Sequence, residues 1–137
     1  MTPNEPTRIV AVVRDLFFAI RIRETLAPRG YTVEVAKSAA ALQGLLTAEG
    51  APIALIIIDL AFAAIVPATV IAELKGSPAT NGIPILAFGS HLDHASRDAA
   101  KAAGADRVVA NSKLAEALPE LVGRYALPRG GAVPTEG

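Results

Sequence analysis

The sequence predicts an α/β fold: a doubly wound, five-stranded parallel sheet in the order 2-1-3-4-5, with helices on both faces. Three observations predict it. Short apolar runs rich in Val and Ile alternate with helical segments along the whole chain, which is the pattern of repeated βαβ units. The connections are short, and right-handed crossovers then wrap helices over both faces of one sheet. Only the second run alternates between apolar and polar residues, as an edge strand with one wet face does.

The elements follow in chain order. Residues 1–7 hold two prolines and read as a flexible N-terminal arm; residues 8–126 form the domain, and residues 127–137, with two prolines and three glycines, read as a flexible tail or the stub of a linker. Ile9–Val13 is a continuous apolar run and reads as a strand buried on both faces. A helix over Leu16–Ala27 ends at Pro28-Arg29-Gly30. Thr32–Ala36 sets Val33 and Val35 against Thr32 and Glu34 as the edge strand. Ser38 caps a helix carrying Leu42, Leu45 and Leu46 on one face, closed by Gly50. Ile53–Ile58 is the strongest buried strand. Pro67 suits the first turn of a helix in which Val70, Ile71 and Leu74 share a face and Gly76 ends it. Ile83–Phe88 is the fourth strand, Asp93–Ala103 an alanine-rich helix stopped by Gly104, and Arg107–Ala110 a short fifth strand. Leu114–Tyr125 is the last helix, and Pro119 gives it either a late start or a kink.

Composition excludes several classes of function. Hydrophobic residues make up 52% of the 137 residues and charged ones 19%, far from the make-up of a disordered chain. The net charge is zero, so no long-range field draws the domain to nucleic acid or an anionic membrane. Six Phe and Tyr in total, with no Trp, leave no stacking platform for single-stranded nucleic acid. The absence of cysteine removes disulfides and thiolate metal sites and suits a reducing cytosol. The apolar stretch Ala51–Ala72 is long enough to span a bilayer, but Asp59 sits near its middle at roughly 2.5–3.5 kcal/mol, Pro67 interrupts it, and basic flanks are missing. Arg14 and Asp15 cut short the first apolar run, so it is no signal peptide. The expectation is a cytoplasmic protein that does not enter membranes.

A sheet of this order binds ligands beyond the carboxyl ends of its strands, where the strand order reverses between strands one and three. Strand one runs out into Arg14-Asp15 and strand three into Asp59, so two carboxylates converge on that crevice. A pair of oxygen ligands with open water positions suits Mg²⁺; the bland alternative is that each Asp caps the element after its strand. His91 and His94 lack a third ligand at helical spacing, and no glycine fingerprint, phosphate loop or G-x-S-x-G elbow follows a strand.

These residues give the chain a family likeness. From Arg8 to Tyr125 it resembles a response-regulator receiver domain of the CheY type, which is a flavodoxin-like fold. The likeness rests on the Val-rich strand ending in Asp15, on Ile56-Ile57-Ile58-Asp59, on Ile83-Pro84-Ile85-Leu86, and on Ala102-Ala103-Gly104-Ala105-Asp106. It implies that Asp59 holds the phosphoacceptor position for a histidine kinase, with Asp15 at one of two acidic positions that help hold Mg²⁺. It also marks departures. Arg14 stands where the first acid belongs, and Gly89 replaces the Ser or Thr ending strand four, with Ser90 one residue late. Asn111-Ser112 replaces the Lys-Pro after strand five, with Lys113 two positions on, and Val108 replaces the aromatic switch residue. The Met-Pro and Asp-Gly signals after the phosphoacceptor are absent from Leu60–Val66.

The departures act together. The Arg14 guanidinium competes with metal and is placed to pair with Asp59 directly. Each charge-assisted bond missing from a phosphoryl group costs roughly 1.5–3 kcal/mol. The expectation is therefore a divergent receiver, or pseudo-receiver, in two-component phosphorelay signalling. It is not an enzyme beyond phosphoryl acceptance on Asp59, and it holds Mg²⁺ at Asp15 and Asp59 weakly at most, with no other cofactor. It acts through protein partners, a histidine kinase or a downstream effector, as a monomer or weak homodimer. The alternative is a small-ligand-binding or enzymatic flavodoxin-like domain using the same crevice at the ends of strands one and three.

Overall fold

The computed structural model describes residues 7–126; residues 1–6 of the expected arm and the tail at 127–137 lie outside the described residues, while Thr7, expected in the arm, is the first residue of the first strand because it pairs with Tyr31 in the sheet. Five parallel strands, β1 (Thr7–Val12), β2 (Tyr31–Ala36), β3 (Ile53–Asp59), β4 (Ile85–Gly89) and β5 (Arg107–Ala110), form one sheet in the order β2-β1-β3-β4-β5. Five helices connect or follow them: α1 (Leu16–Leu26), α2 (Ala39–Thr47), α3 (Pro67–Gly76), α4 (His94–Ala103) and α5 (Asn111–Tyr125). The predicted strand order and the alternation of elements are both observed.

The period of two along each strand builds two cores. Val10, Val12, Ile56, Ile58, Ile85 and Ala87 face the layer of α2, α3 and α4. Ile9, Ala11, Leu55, Ile57, Leu86 and Phe88 face α1 and α5. β3 is buried at every position, as a central parallel strand covered on both faces must be. β2 is an edge, and Glu34 on it is half-buried because it pairs with Arg8 of β1. The Arg8 guanidinium also donates to the carbonyls of Leu45 and Ala51 at 3.1 and 2.9 Å, tying β1, β2 and α2 together at the amino ends of the strands. At the same end, Lys75 reaches Asp106 at 2.8 Å and the Ile83 carbonyl at 3.0 Å.

Local chemistry sets the element ends. Ser38 caps α2 by accepting from the Ala41 N–H at 3.0 Å, and Pro67 is the first residue of α3. α2 stops at Thr47, before Gly50. β4 starts at Ile85, not at Ile83, because Pro84 has no N–H for the ladder and contributes only its carbonyl to Ile56. α5 starts at Asn111, earlier than predicted, and takes the kink: Ala117 leaves the helical region (φ −118°, ψ 23°) two residues before Pro119. No helix among the described residues is long and apolar enough to cross a membrane.

Candidate functional site

Asp59 is the last residue of β3, between β1 and β4, at the reversal of strand order. The residue is buried, with 7% of its surface exposed. One carboxylate oxygen accepts the Ala61 N–H at 2.9 Å, which turns the chain out of the strand, and the Asp59 carbonyl accepts the Phe62 N–H at 3.1 Å. Burial pushes the Asp59 carboxyl above its ordinary range, and the neighbouring Asp15 carboxylate adds to the rise. The backbone N–H groups of Ala61 and Arg14 and the Arg14 guanidinium pull the other way, and burial wins.

The structure therefore brings Arg14, Asp15 and Asp59 to one place, with different roles. Arg14 is exposed and makes no ion pair with Asp59; among the described residues the ion pairs are Arg8–Glu34 and Lys75–Asp106. The direct pairing expected from the sequence is not formed: the Arg14 side chain is exposed, and its guanidinium acts on the carboxylate only through space. Asp15 is the N-cap of α1, its carboxylate accepting from Phe17 N–H at 2.9 Å and Phe18 N–H at 3.3 Å.

The other predicted neighbours divide in the same way. Gly89 ends β4 beside Asp59 and is buried, and the position is crowded: a Cβ there would stand 3.2 Å from Leu60 Cβ and 3.4 Å from Leu60 Cδ1, so Leu60 would have to give by a few tenths of an ångström to admit a side chain. Leu60 is held in place, since its N–H donates to the Phe88 carbonyl at 2.8 Å. Sequence reasoning missed Leu60; the signal was an apolar residue directly after Asp59, in register to continue the β3–β4 ladder. Ser90 is exposed, and its hydroxyl accepts the Leu92 N–H at 3.1 Å. Asn111 is the exposed first residue of α5, and Lys113 lines a shallow hollow of about 70 Å³ with Arg107, Ala117, Glu120, Leu121 and Arg124, along the outer edge of the sheet. Val108 is buried in the core layer shared with α4.

Among the described residues there is no group of three or more His, Cys, Asp or Glu side chains placed to hold a metal ion. His91 and His94 are exposed, and Asp93 between them caps α4 through the Ser96 N–H at 3.1 Å. A hollow of about 270 Å³, a little under the small-ligand range, opens between α2 and α3, away from Asp59.

No protein-family model and no curated protein sequence matches the chain. Solved structures do. The signal receiver domain of a histidine kinase from Syntrophus aciditrophicus superposes with a TM-score of 0.79 at 20% identity, covering 96% of this chain and 99% of that one. The signal receiver domain of a response regulator from Bermanella marisrubri gives 0.75 at 27% identity, covering 89% and 99%. The chain has the CheY-like receiver fold. A third receiver, the Mn²⁺-bound form of response regulator Rcp1, gives 0.75 at 16% identity over 95% and 100%. In all three superpositions nearly the whole of the known receiver is matched, so the likeness extends through every layer of the fold and is not confined to a shared βαβ unit.

Proposed function

We propose that this domain is a receiver-like module of cytoplasmic two-component signalling whose Asp59 site has lost stable phosphorylation and which works by binding other proteins. The observation that carries this reading is a glycine at position 89, beside Asp59 and crowded by Leu60. A receiver site needs a hydroxyl beside the acceptor carboxylate, and here the position is a glycine, crowded by Leu60 so that a side chain enters only if Leu60 gives way by a few tenths of an ångström. Three further features support it. Arg14 places positive charge where metal would sit, Asp15 spends its carboxylate on the α1 cap, and Lys113 lies along the sheet edge.

The residues present fit Mg²⁺ poorly. Asp15 and Asp59 are the two carboxylates within reach, one caps a helix, and the Arg14 guanidinium repels a divalent cation from both. Any Mg²⁺ binding is therefore weak. The reaction open to the site is acceptance of a phosphoryl group on Asp59, with a short-lived product. The partners are a histidine kinase or an effector protein, and neither nucleic acid nor membrane is engaged by the domain.

Incubation with acetyl phosphate and excess Mg²⁺, followed by intact-mass analysis, tests the reading. No phosphoprotein accumulates if it holds. Stoichiometric phosphorylation that disappears in Asp59→Asn would overturn it.

A further inference from the structure

Asn81-Gly82 is the only asparagine–glycine pair in the chain; the other asparagines, Asn4 and Asn111, precede Glu5 and Ser112. The pair lies between α3 and β4, at the amino ends of the strands and opposite to Asp59. The Ile83 N–H donates to the Thr80 carbonyl at 2.9 Å, so Asn81 and Gly82 are the two central residues of a tight turn. The Asn81 N–H donates to the Ser77 carbonyl at 2.8 Å. Both residues are exposed. Between these two anchored groups, the Gly82 N–H makes no backbone hydrogen bond among the described residues. No atom beyond its chain neighbours lies within 4 Å of the place a Cβ on Gly82 would take. The Gly82 nitrogen is therefore an unengaged nucleophile, screened by no side chain of its own, next to the side-chain carbonyl of Asn81.

The carbonyl of that same peptide bond is engaged. Lys75 Nζ donates to the Asn81 carbonyl at 3.4 Å, to the Ile83 carbonyl at 3.0 Å and to Asp106 Oδ2 at 2.8 Å. Asp106 Oδ2 also accepts the Ile85 N–H at 2.8 Å, so one ammonium links the turn to the starts of β4 and β5. An ammonium on a peptide carbonyl draws electron density from the attached carbon and nitrogen. The Gly82 N–H is then easier to ionise, and the Asn81 carbonyl carbon is easier for water to attack.

We propose that Asn81-Gly82 is a self-modification site, at which water alone converts Asn81 to isoaspartate and the new carboxylate forms against Lys75. The Gly82 nitrogen gives up its proton and attacks Asn81 Cγ. The N–Cγ bond forms, the Cγ–Nδ2 bond breaks, and the side-chain nitrogen leaves as ammonia with a proton that balances the one lost. One water then opens the resulting succinimide. Addition at Cγ gives aspartate; addition at the former backbone carbonyl breaks its bond to Gly82 and gives isoaspartate, whose main chain runs through Cβ and Cγ. In that product the oxygen that Lys75 already reaches belongs to a free carboxylate. It competes with Asp106 for the ammonium, and the lengthened main chain enters just ahead of β4. The site stands apart from Asp59 and does not rest on the proposed function.

The full chain, kept at neutral pH and physiological temperature for several weeks and then digested with trypsin, releases residues 76–97 as one peptide. Mass spectrometry with radical-driven fragmentation separates isoaspartate from aspartate in it. Asn81 should convert at least about tenfold faster than Asn111, whose helical backbone holds the Ser112 nitrogen away from its side chain, with isoaspartate in excess. Gly82→Ala, whose methyl group enters open space, should fold as the wild type by circular dichroism and slow the conversion by about tenfold or more. In ¹⁵N spectra the converted protein should shift the Ile85 and Asp106 amides. Asn81→Asp, which adds the charge but keeps the main chain, should leave them near their wild-type positions. An Asn81 that stays intact, converts no faster than Asn111, or is indifferent to Gly82→Ala would overturn the proposal. So would a conversion that shifts Ile85 and Asp106 no more than Asn81→Asp does.

Discussion

Replacing Gly89 by alanine probes the crowding of the site directly. Two opposed effects set the magnitude. Gly89 has an ordinary strand conformation, so a methyl group there gains about 0.4–1 kcal/mol by restricting the unfolded chain. Against this, the new Cβ meets Leu60 Cβ at 3.2 Å and Leu60 Cδ1 at 3.4 Å. The nearer atom is no flexible tip: it is fixed to a backbone whose N–H is bonded to the Phe88 carbonyl at 2.8 Å. Overpacking against rigid neighbours costs about 1–3 kcal/mol, so Gly89→Ala should destabilise the domain by about 1 kcal/mol net. Urea denaturation of wild type, Gly89→Ala, Leu60→Ala and the double variant measures it. Leu60→Ala removes Cδ1 and leaves room for the strands to relax, so the double variant should be more stable than the sum of the singles by at least about 0.5 kcal/mol. A Gly89→Ala that stabilises the wild type would refute the claim that Leu60 crowds this position; additive single effects would place the clash on the retained Leu60 Cβ and not on Cδ1.

Three other outcomes follow from the same geometry. Titration with Mg²⁺ at millimolar concentration should leave the Asp15 and Asp59 amide signals nearly unmoved, and Arg14→Asp should restore saturable shifts, because it exchanges a repelling cation for a ligand; saturable shifts in the wild type would contradict this. Burial lets folded Asp59 keep its proton over a pH range in which the unfolded chain has released it, so stability falls as pH rises through that window, above the ordinary carboxylate value. Asp59→Asn should abolish that slope and leave stability at neutral pH equal or higher, and a loss above about 3 kcal/mol in urea titrations would mark Asp59 as half of a buried ion pair. Val66 is a β-branched residue held at φ +50°, so Val66→Gly should raise stability by about 0.5–1 kcal/mol after the entropic cost of glycine, and a thermal melt showing a clear loss would argue against strain in that turn.

Much of this architecture is legible in the residues. The apolar runs at Ile9–Val13 and Ile53–Ile58, the half-wet run at Thr32–Ala36 and the cap at Ser38 are local signals, and tertiary packing agrees with each of them. The reversal point, and with it the meeting of Arg14, Asp15 and Asp59, follows from strand order alone. What the sequence hides depends on distance or direction. That Leu60 rather than solvent adjoins Gly89 is a contact between neighbouring strands at the exit of the ladder, with no spacing rule to announce it. The Arg8 clamp joins residues far apart in the chain through carbonyls, which every residue type carries. Val66 precedes a proline, which warns against a right-handed helical conformation there, but the left-handed one it adopts is disfavoured for valine and is imposed by the turn out of Ile65. The direct Arg14–Asp59 pair is absent for a related reason: charge and sequence position put the two groups near each other, while the Arg14 side chain is exposed to solvent and Asp59 is buried.

The central claim is that the Asp59 crevice no longer holds a phosphoryl group. Beryllofluoride added with Mg²⁺ to the ¹⁵N-labelled domain tests it most directly, because this mimic needs the same metal, hydroxyl and ammonium partners as the phosphoryl group but no kinase. The account predicts unchanged amide signals for Asp59, Leu60, Ala61 and Gly89 at saturating reagent. A second, stoichiometric set of signals for these residues, absent in Asp59→Asn, would contradict it.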